Sequence, residues 1–292
     1  MTIREALQGY SNKLIPVYDA GECRSITEIV MMYSLKISKS NLLANEQRIL
    51  TDIEIELLEN IFARLKTGEP VQYVLGEAWF CHLPFYVDRN VLIPRPETEE
   101  LVYWIINDIN AASIKKNSYR ILDIGTGSGC IAIALKKNLN TSKVTAIDIS
   151  EASLEIARKN ALLNHAEVDF HCVDIFSTTF PSLEEIKFDV IVSNPPYVLN
   201  KEKDLMHKNV VQFEPHQALF VDDNNPLIFY EKIASFAKAH LGNNGKLYFE
   251  INENKSQAIT ELLQVFGFDY ILLKKDIFNK DRMISCQLLK DS

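Results

Sequence analysis

Two short stretches of this sequence hold residues whose types and spacing could do chemistry together. The first is Ser193-Asn194-Pro195-Pro196-Tyr197, directly after the apolar run Val190–Val192. Asn194 offers a side-chain carbonyl, and Pro195 a backbone carbonyl whose position its ring helps to fix. Two such acceptors can hold both N–H bonds of a planar –NH2 group. The nitrogen of an amide is a poor nucleophile, because its lone pair is delocalised by the resonance behind a peptide bond's ~18–20 kcal/mol rotation barrier. Holding both protons leaves that lone pair to be aimed, and fixing two reactants in line can contribute as much as ~7–11 kcal/mol. Tyr197 can stack on the flat face of the acceptor. The corner suits a glutamine amide and the exocyclic amine of adenine or cytosine alike, and a plain rigid turn is its simplest reading.

The second stretch is Asp123-Ile124-Gly125-Thr126-Gly127-Ser128-Gly129, which ends one strand-like run and opens a helical one, Ile131–Lys137. Glycines let the backbone turn sharply and let a ligand come close to it. Gly127, Gly129 and Ala132 satisfy G-x-G-x-x-A, and Asp148 ends the next strand ~20 residues on, as in a dinucleotide fingerprint. An NAD-dependent protein stays open on that ground. Asp148 serves either ligand, since a carboxylate accepts from both ribose hydroxyls. Asp123 tilts the reading toward a methyl donor, S-adenosylmethionine, because a sulfonium cation gains from a nearby negative charge.

The elements that must position these residues follow from periodicity. Strand-like runs occupy Arg120–Ile124, Val144–Asp148, Val168–Val173, Phe188–Ser193, Lys246–Ile251, Tyr270–Leu273 and Met283–Leu289. Helical patterns follow the first, second, fourth and fifth, which predicts a mostly parallel α/β sheet covered on both faces. Only Lys274–Arg282 joins the last two, too few residues for a crossover helix, so they should pair antiparallel. By fold-level analogy this is the seven-stranded Rossmann-like class I methyltransferase sheet, with its last strand antiparallel. Both chemical stretches then fall at the carboxyl edge, where open α/β sheets bind ligands.

Upstream, residues 77–93 read as an aromatic-rich β-hairpin, with Ala78–His82 and Phe85–Val87 flanking Leu83-Pro84. Glu97-Thr98-Glu99-Glu100 begins a helix, its acidic residues suiting the positive helix start. Residues 1 to about 70 read as helices only. Ala6, Leu7 and Tyr10 mark a short first helix. Ile26, Ile29, Val30, Tyr33 and Ile37 form one apolar stripe, and Leu50, Ile53, Leu57, Leu58, Ile61, Phe62 and Leu65 another. Gly68 and Pro70 stop the last helix.

Composition narrows the classes. The 292 residues suggest two domains, and 47% hydrophobic with 24% charged residues is the mix of an ordinary globular protein. A net charge of −8 without a basic tract weighs against a nucleic-acid substrate. The five cysteines form no C-x-x-C pair and the six histidines no ligand pattern, so neither disulfides nor a metal are expected. Met1–Ala6 carries charges where a signal peptide needs its apolar stretch, and the longest apolar run, Ile29–Tyr33, is far short of the ~20 residues of a membrane span. A soluble, cytoplasmic protein is expected.

Several blocks, in order and with correct spacing, resemble the HemK/PrmC family, the release-factor glutamine methyltransferases. They are Gly68-Glu69-Pro70-Val71-Gln72-Tyr73, Leu92-Ile93-Pro94-Arg95-Pro96-Glu97-Thr98-Glu99, the glycine stretch, the Asn-Pro-Pro-Tyr corner, and Phe213-Glu214-Pro215 with Ala218-Leu219. The resemblance implies methylation of the side-chain nitrogen (N5) of the glutamine in a Gly-Gly-Gln loop of peptide chain release factors. It implies a substrate-binding helical domain over 1–75, a hairpin linker over 76–95 and a methyltransferase domain over 96–292. Asn194, Pro195 and Tyr197 would be catalytic. Asp123, Gly125, Thr126, Gly127, Ser128, Gly129, Asp148, Ile149, Asp174, Ile175 and Asn194 would hold S-adenosylmethionine, Asp174 receiving the adenine amino group. Asn194, Pro195, Pro196, Tyr197 and Phe80 would hold the acceptor, with Phe80 as a wall of its pocket. The segment Val198–Leu227 is long for a connection within a domain and should cover the site, with Arg95 pairing to a carboxylate there. Ile175 stands where many relatives carry tryptophan, which leaves the stacking side of the adenine pocket open. A ribosomal-protein glutamine and an adenine N6 on nucleic acid are the alternative acceptors.

Overall fold

Each long helix of the amino-terminal region begins at a residue that satisfies the free amides of its first turn. In the computed structural model, which describes residues 1–112, 116–181 and 183–288, Thr2 caps the helix Ile3–Leu14 and Thr51 caps Asp52–Leu65. In both, the threonine hydroxyl accepts from the amide of a glutamate three residues on, and that glutamate accepts in return. Asp19 caps Ala20–Leu35, and two short helices, Lys39–Ala44 and Val71–Leu75, complete this part.

By internal contacts, Met1–Glu77 groups with His207–Phe213 into one unit, and Ala78–Met206 with Glu214–Ser292 into another. In the first unit Ile3, Ala6, Tyr10 and Leu14 line one helix face, and Tyr10 stacks on Phe62 with ring centroids 4.2 Å apart. The Arg64 guanidinium forks onto Glu69, both N–O distances being 2.9 Å, and also donates to the carbonyls of Tyr73 and Val74. That fixes the turn in which Gly68 adopts φ 85°. The apolar stripes are wider than the faces that pack. Ile29, Tyr33 and Leu57 stay exposed, and Ile53 is 80% exposed, while Ile26, Val30, Leu58 and Phe62 take the core contacts.

The hairpin strands are Glu77–Phe80 and Leu83–Tyr86. The turn falls at Cys81-His82, whose φ angles of 48° and 62° are the left-handed pair that matches a hairpin's twist. Leu83-Pro84, expected to form that turn, lies in the second strand.

The main sheet has seven strands: β1 Arg120–Ile124, β2 Lys143–Asp148, β3 Val168–Cys172, β4 Phe188–Ser193, β5 Leu241–Glu250, β6 Phe268–Lys275 and β7 Asp281–Leu288. Leu289, the expected end of the seventh, lies outside the described residues. Their spatial order is β6-β7-β5-β4-β1-β2-β3. Pairs from β3 to β5 are parallel, and β7 runs antiparallel to both β5 and β6. β5 begins earlier than its apolar run because Leu241–Gly245 joins the sheet through a register shift against β4. Helices Pro96–Ala111 and Cys130–Asn138 bury one face, and Ile228–His240 with Ser256–Val265 the other. Among the described residues no helix is long and apolar enough to cross a membrane, and no cluster of three or more His, Cys, Asp or Glu could hold a metal ion.

Candidate active site

β1 and β4 are parallel neighbours, with Ile124 opposite Ser193, and the Ser193 hydroxyl donates to the Ile124 carbonyl at 2.7 Å. The two chains therefore leave the sheet side by side. Gly125–Ser128 and Asn194–Pro196 line one cavity of about 420 Å³. A larger hollow of about 900 Å³ lies at the opposite strand ends, around Arg120, Lys143 and Phe188, and holds none of the motif residues.

The glycines do different jobs. Gly127 takes φ 54° with open space where a Cβ would stand, so its requirement is the left-handed turn. Its amide donates to Asp148 Oδ2 at 2.8 Å. Gly129 is instead a packing glycine outside the cavity wall. A Cβ there would lie 3.0 Å from Ile133 Cδ1 and 3.1 Å from the Ala157 Cβ, so its absence seats the helix Cys130–Asn138 against Glu151–Leu163.

Asp148 lines the cavity with Ile149 at its rim. Burial raises the Asp148 pKa, while the amides of Ser150 and Gly127 oppose the shift by donating to its two oxygens. Asp174 and Ile175 line it too, and Asp174 Oδ1 accepts from the Phe176 amide at 2.9 Å. Sequence reasoning stopped at Ile175. The next residue, Phe176, supplies an aromatic wall and packs edge-on to Phe229, with centroids 5.1 Å apart. The signal was an aromatic displaced by one position.

Asp123 does not reach the wall. Fully buried, its Oδ2 accepts from the Thr126 hydroxyl at 2.6 Å and the Ala132 amide at 3.2 Å, while Oδ1 has no partner among the described residues. Burial pushes its pKa up to about 7, against the two hydrogen bonds.

At the other corner Asn194 Nδ2 donates to Thr98 Oγ1 at 3.2 Å, and Thr98 Oγ1 donates to Glu250 Oε2 at 2.6 Å. Tyr197 is not beside the corner in the cavity wall. Its hydroxyl donates to Glu250 Oε1 at 3.0 Å, which turns the ring toward the core beneath, and burial followed by the Glu250 charge raises its pKa far above the ordinary range. Phe80 is also absent from the wall. It is 1% exposed and packs edge-on to Phe85, because strand alternation sends Trp79 to solvent and Phe80 inward. Thr98 and Glu250 were not singled out from sequence; their spacing of 152 positions carries no local signal.

The segment after Tyr197 is ordered into short elements. Val198–Leu199 pairs with Phe220–Val221, and Pro215, Gln217, Ala218 and Phe220 line the cavity. His207–Phe213 belongs to the other unit. Glu214, 1% exposed in its side chain, accepts from Arg95 Nη2 at 2.6 Å and from the Ile93 amide at 3.4 Å.

Comparison with known proteins shows the family. Residues 5–76 match the PrmC N-terminal domain model, and residues 108–218 the methyltransferase small domain model. A release factor glutamine methyltransferase from Flavobacterium psychrophilum is 46% identical over 97% of this chain and 98% of its own length. One from Bacteroides thetaiotaomicron is 41% identical over 97% and 96%. A methyltransferase structure from Pyrococcus furiosus, at 21% identity, covers 71% of this chain and 90% of its own with a TM-score of 0.50, and so speaks for the fold alone. With near-complete coverage at such identity, the chain belongs to the release factor glutamine methyltransferase family.

Proposed function

We propose that this chain transfers a methyl group from S-adenosylmethionine to the side-chain amide nitrogen of the glutamine in the Gly-Gly-Gln motif of peptide chain release factors. The observation that carries the reading is the shared cavity, with the glycine turn on one side and the Asn194-Pro195 corner on the other. Its residues fit an adenosyl donor. Asp148, held by two amides, keeps lone pairs for ribose hydroxyls. Asp174 Oδ2 remains for an adenine amino group, with Phe176, Ile149 and Ile175 as apolar walls. Open space at Gly125 and Gly127 admits a close backbone approach.

When bound, S-adenosylmethionine supplies a methyl group on a positively charged sulfur. The protein's part is to hold and aim the acceptor. Asn194 Oδ1 accepts no hydrogen bond from the described residues and, with the Pro195 carbonyl, takes the two amide protons. Its lone pair is then directed rather than tumbling. No base is needed beforehand, since the nitrogen becomes acidic only once alkylated. The first unit, with Ile29, Tyr33, Ile53 and Leu57 exposed, offers apolar surface for a protein partner.

Mass spectrometry of a release factor incubated with enzyme and donor should find one added methylene on the Gly-Gly-Gln peptide. An unmodified peptide would sink the proposal.

A further inference from the structure

An asparagine amide presents an oxygen on one side and an NH2 on the other, and a half-turn swaps them with little change of shape. Only the oxygen can receive a substrate –NH2, so something must set the orientation of Asn194. The structure holds a device for this, built from residues to which neither the motif nor the family match assigns a role.

Glu250 is 1% exposed and Thr98 2%. Glu250 takes a hydroxyl on each carboxylate oxygen: Thr98 on Oε2 at 2.6 Å and Tyr197 on Oε1 at 3.0 Å. Burial raises the Glu250 pKa, against the Thr98 and Tyr197 hydroxyls and the Arg282 charge; as a carboxylate it can only accept, so both hydroxyls spend their single proton on it. Thr98 Oγ1 is left with lone pairs alone for Asn194, which must turn its Nδ2 inward, as the 3.2 Å contact records. The Tyr230 hydroxyl donates to the Glu250 carbonyl at 3.2 Å, anchoring the backbone of the carboxylate as well. The polarity of the whole chain of hydrogen bonds runs from Asn194 to Glu250, and it leaves Oδ1 free for the acceptor.

We propose that Thr98 and Glu250 are positioning residues that lock the Asn194 amide with its oxygen toward the acceptor, so that the site takes an –NH2 group and refuses a carboxylate in its place. The inference rests on the reading of Asn194 as an acceptor clamp. It extends that reading from rate to specificity. A side chain that accepts rather than donates would meet two carbonyl oxygens and leave buried polar groups unpaired, the situation in which polar sites discriminate most strongly.

The test compares Thr98→Val, Thr98→Ser and Glu250→Gln with the unmodified enzyme. It measures kcat and KM on a release factor, competition by the same factor carrying Gly-Gly-Glu, affinity for S-adenosylhomocysteine, and the melting temperature. Thr98→Val keeps the side-chain shape but frees the amide to turn. It should lower kcat by about tenfold or more with donor-product affinity within about twofold, and it should narrow the preference for Gln over Glu severalfold. Thr98→Ser should restore both. Glu250→Gln keeps one acceptor oxygen that can still take the Thr98 proton, and should give a smaller loss of kcat and preference than Thr98→Val. A Thr98→Val enzyme with kcat and Gln/Glu preference near those of the unmodified protein overturns the inference. So does a Thr98→Ser enzyme as impaired as Thr98→Val, since the hydroxyl would then be irrelevant. Asn194→Ala separates the two levels: an active Asn194→Ala enzyme removes the clamp itself, whereas an inactive one beside a normal Thr98→Val enzyme removes only the lock.

Discussion

Asn194 has one end of its amide tied and the other turned to the cavity, so its removal should separate binding from chemistry. Asn194→Ala is expected to lower kcat by about 10²-fold or more, the scale of losing a donor or acceptor aimed at the reacting group. Calorimetry with S-adenosylhomocysteine should find donor-site affinity within severalfold. Asp123 poses the opposite case, a carboxylate behind the wall with an orphaned oxygen. Its folded pKa of about 7 lies above the ~3.9 of an unfolded aspartate. Between those values the folded state keeps a proton that the unfolded chain has released. Its contribution to stability is therefore full below ~4, declines as pH rises, and is gone above about 7. Asp123→Asn should flatten this part of the profile, read as a smaller drop in urea midpoint between pH ~5 and ~8 without donor. If the carboxylate also serves the cationic donor, the variant should lose more affinity for S-adenosylmethionine than for the neutral S-adenosylhomocysteine.

At the scale of elements, Gly129 ties the glycine turn to the packing of two helices. Gly129→Ala places a methyl against Ile133 and Ala157 at a φ of 81°, and should destabilise the fold by about 1–3 kcal/mol, visible as a lowered melting temperature. The same scale explains what the sequence made legible. Strand and helix periods place β1 and β4, and with them both chemical corners, because buried parallel strands are apolar runs with sharp ends. The hairpin was misread by proline chemistry: Pro84 suggests a turn, but the left-handed pair Cys81-His82 makes it. Phe80, which the resemblance implied as a pocket wall, faces inward with Ala78 by strand alternation and packs in the core. The orientation of Tyr197 is not legible in the sequence. Its orientation depends on Glu250, a partner 53 positions away that no local pattern reveals. Gly129 and Asp123 sit in a ligand motif yet support it from behind.

For the molecule as a whole, a net charge of −8 and an amino-terminal unit with exposed isoleucine, tyrosine and leucine favour a protein partner over a polyanion. Ile53→Glu combined with Leu57→Glu should raise KM for an intact release factor by about tenfold or more, as expected when apolar anchors of an interface are lost. Turnover of a short Gly-Gly-Gln peptide should be unchanged; equal damage to both would refute a docking role for this face. The Arg95–Glu214 pair acts at this scale too, since it joins positions 119 apart in the chain. It staples the stretch before one helix to another stretch that lines the cavity, and the Ile93 amide adds a second stitch. The recess thus keeps its outline before any nucleoside enters, and the entropy of shaping it is settled during folding rather than at the encounter. The amide protons of Ile93, Thr98, Ala218 and Phe220 should exchange slowly with solvent deuterium even in the empty enzyme.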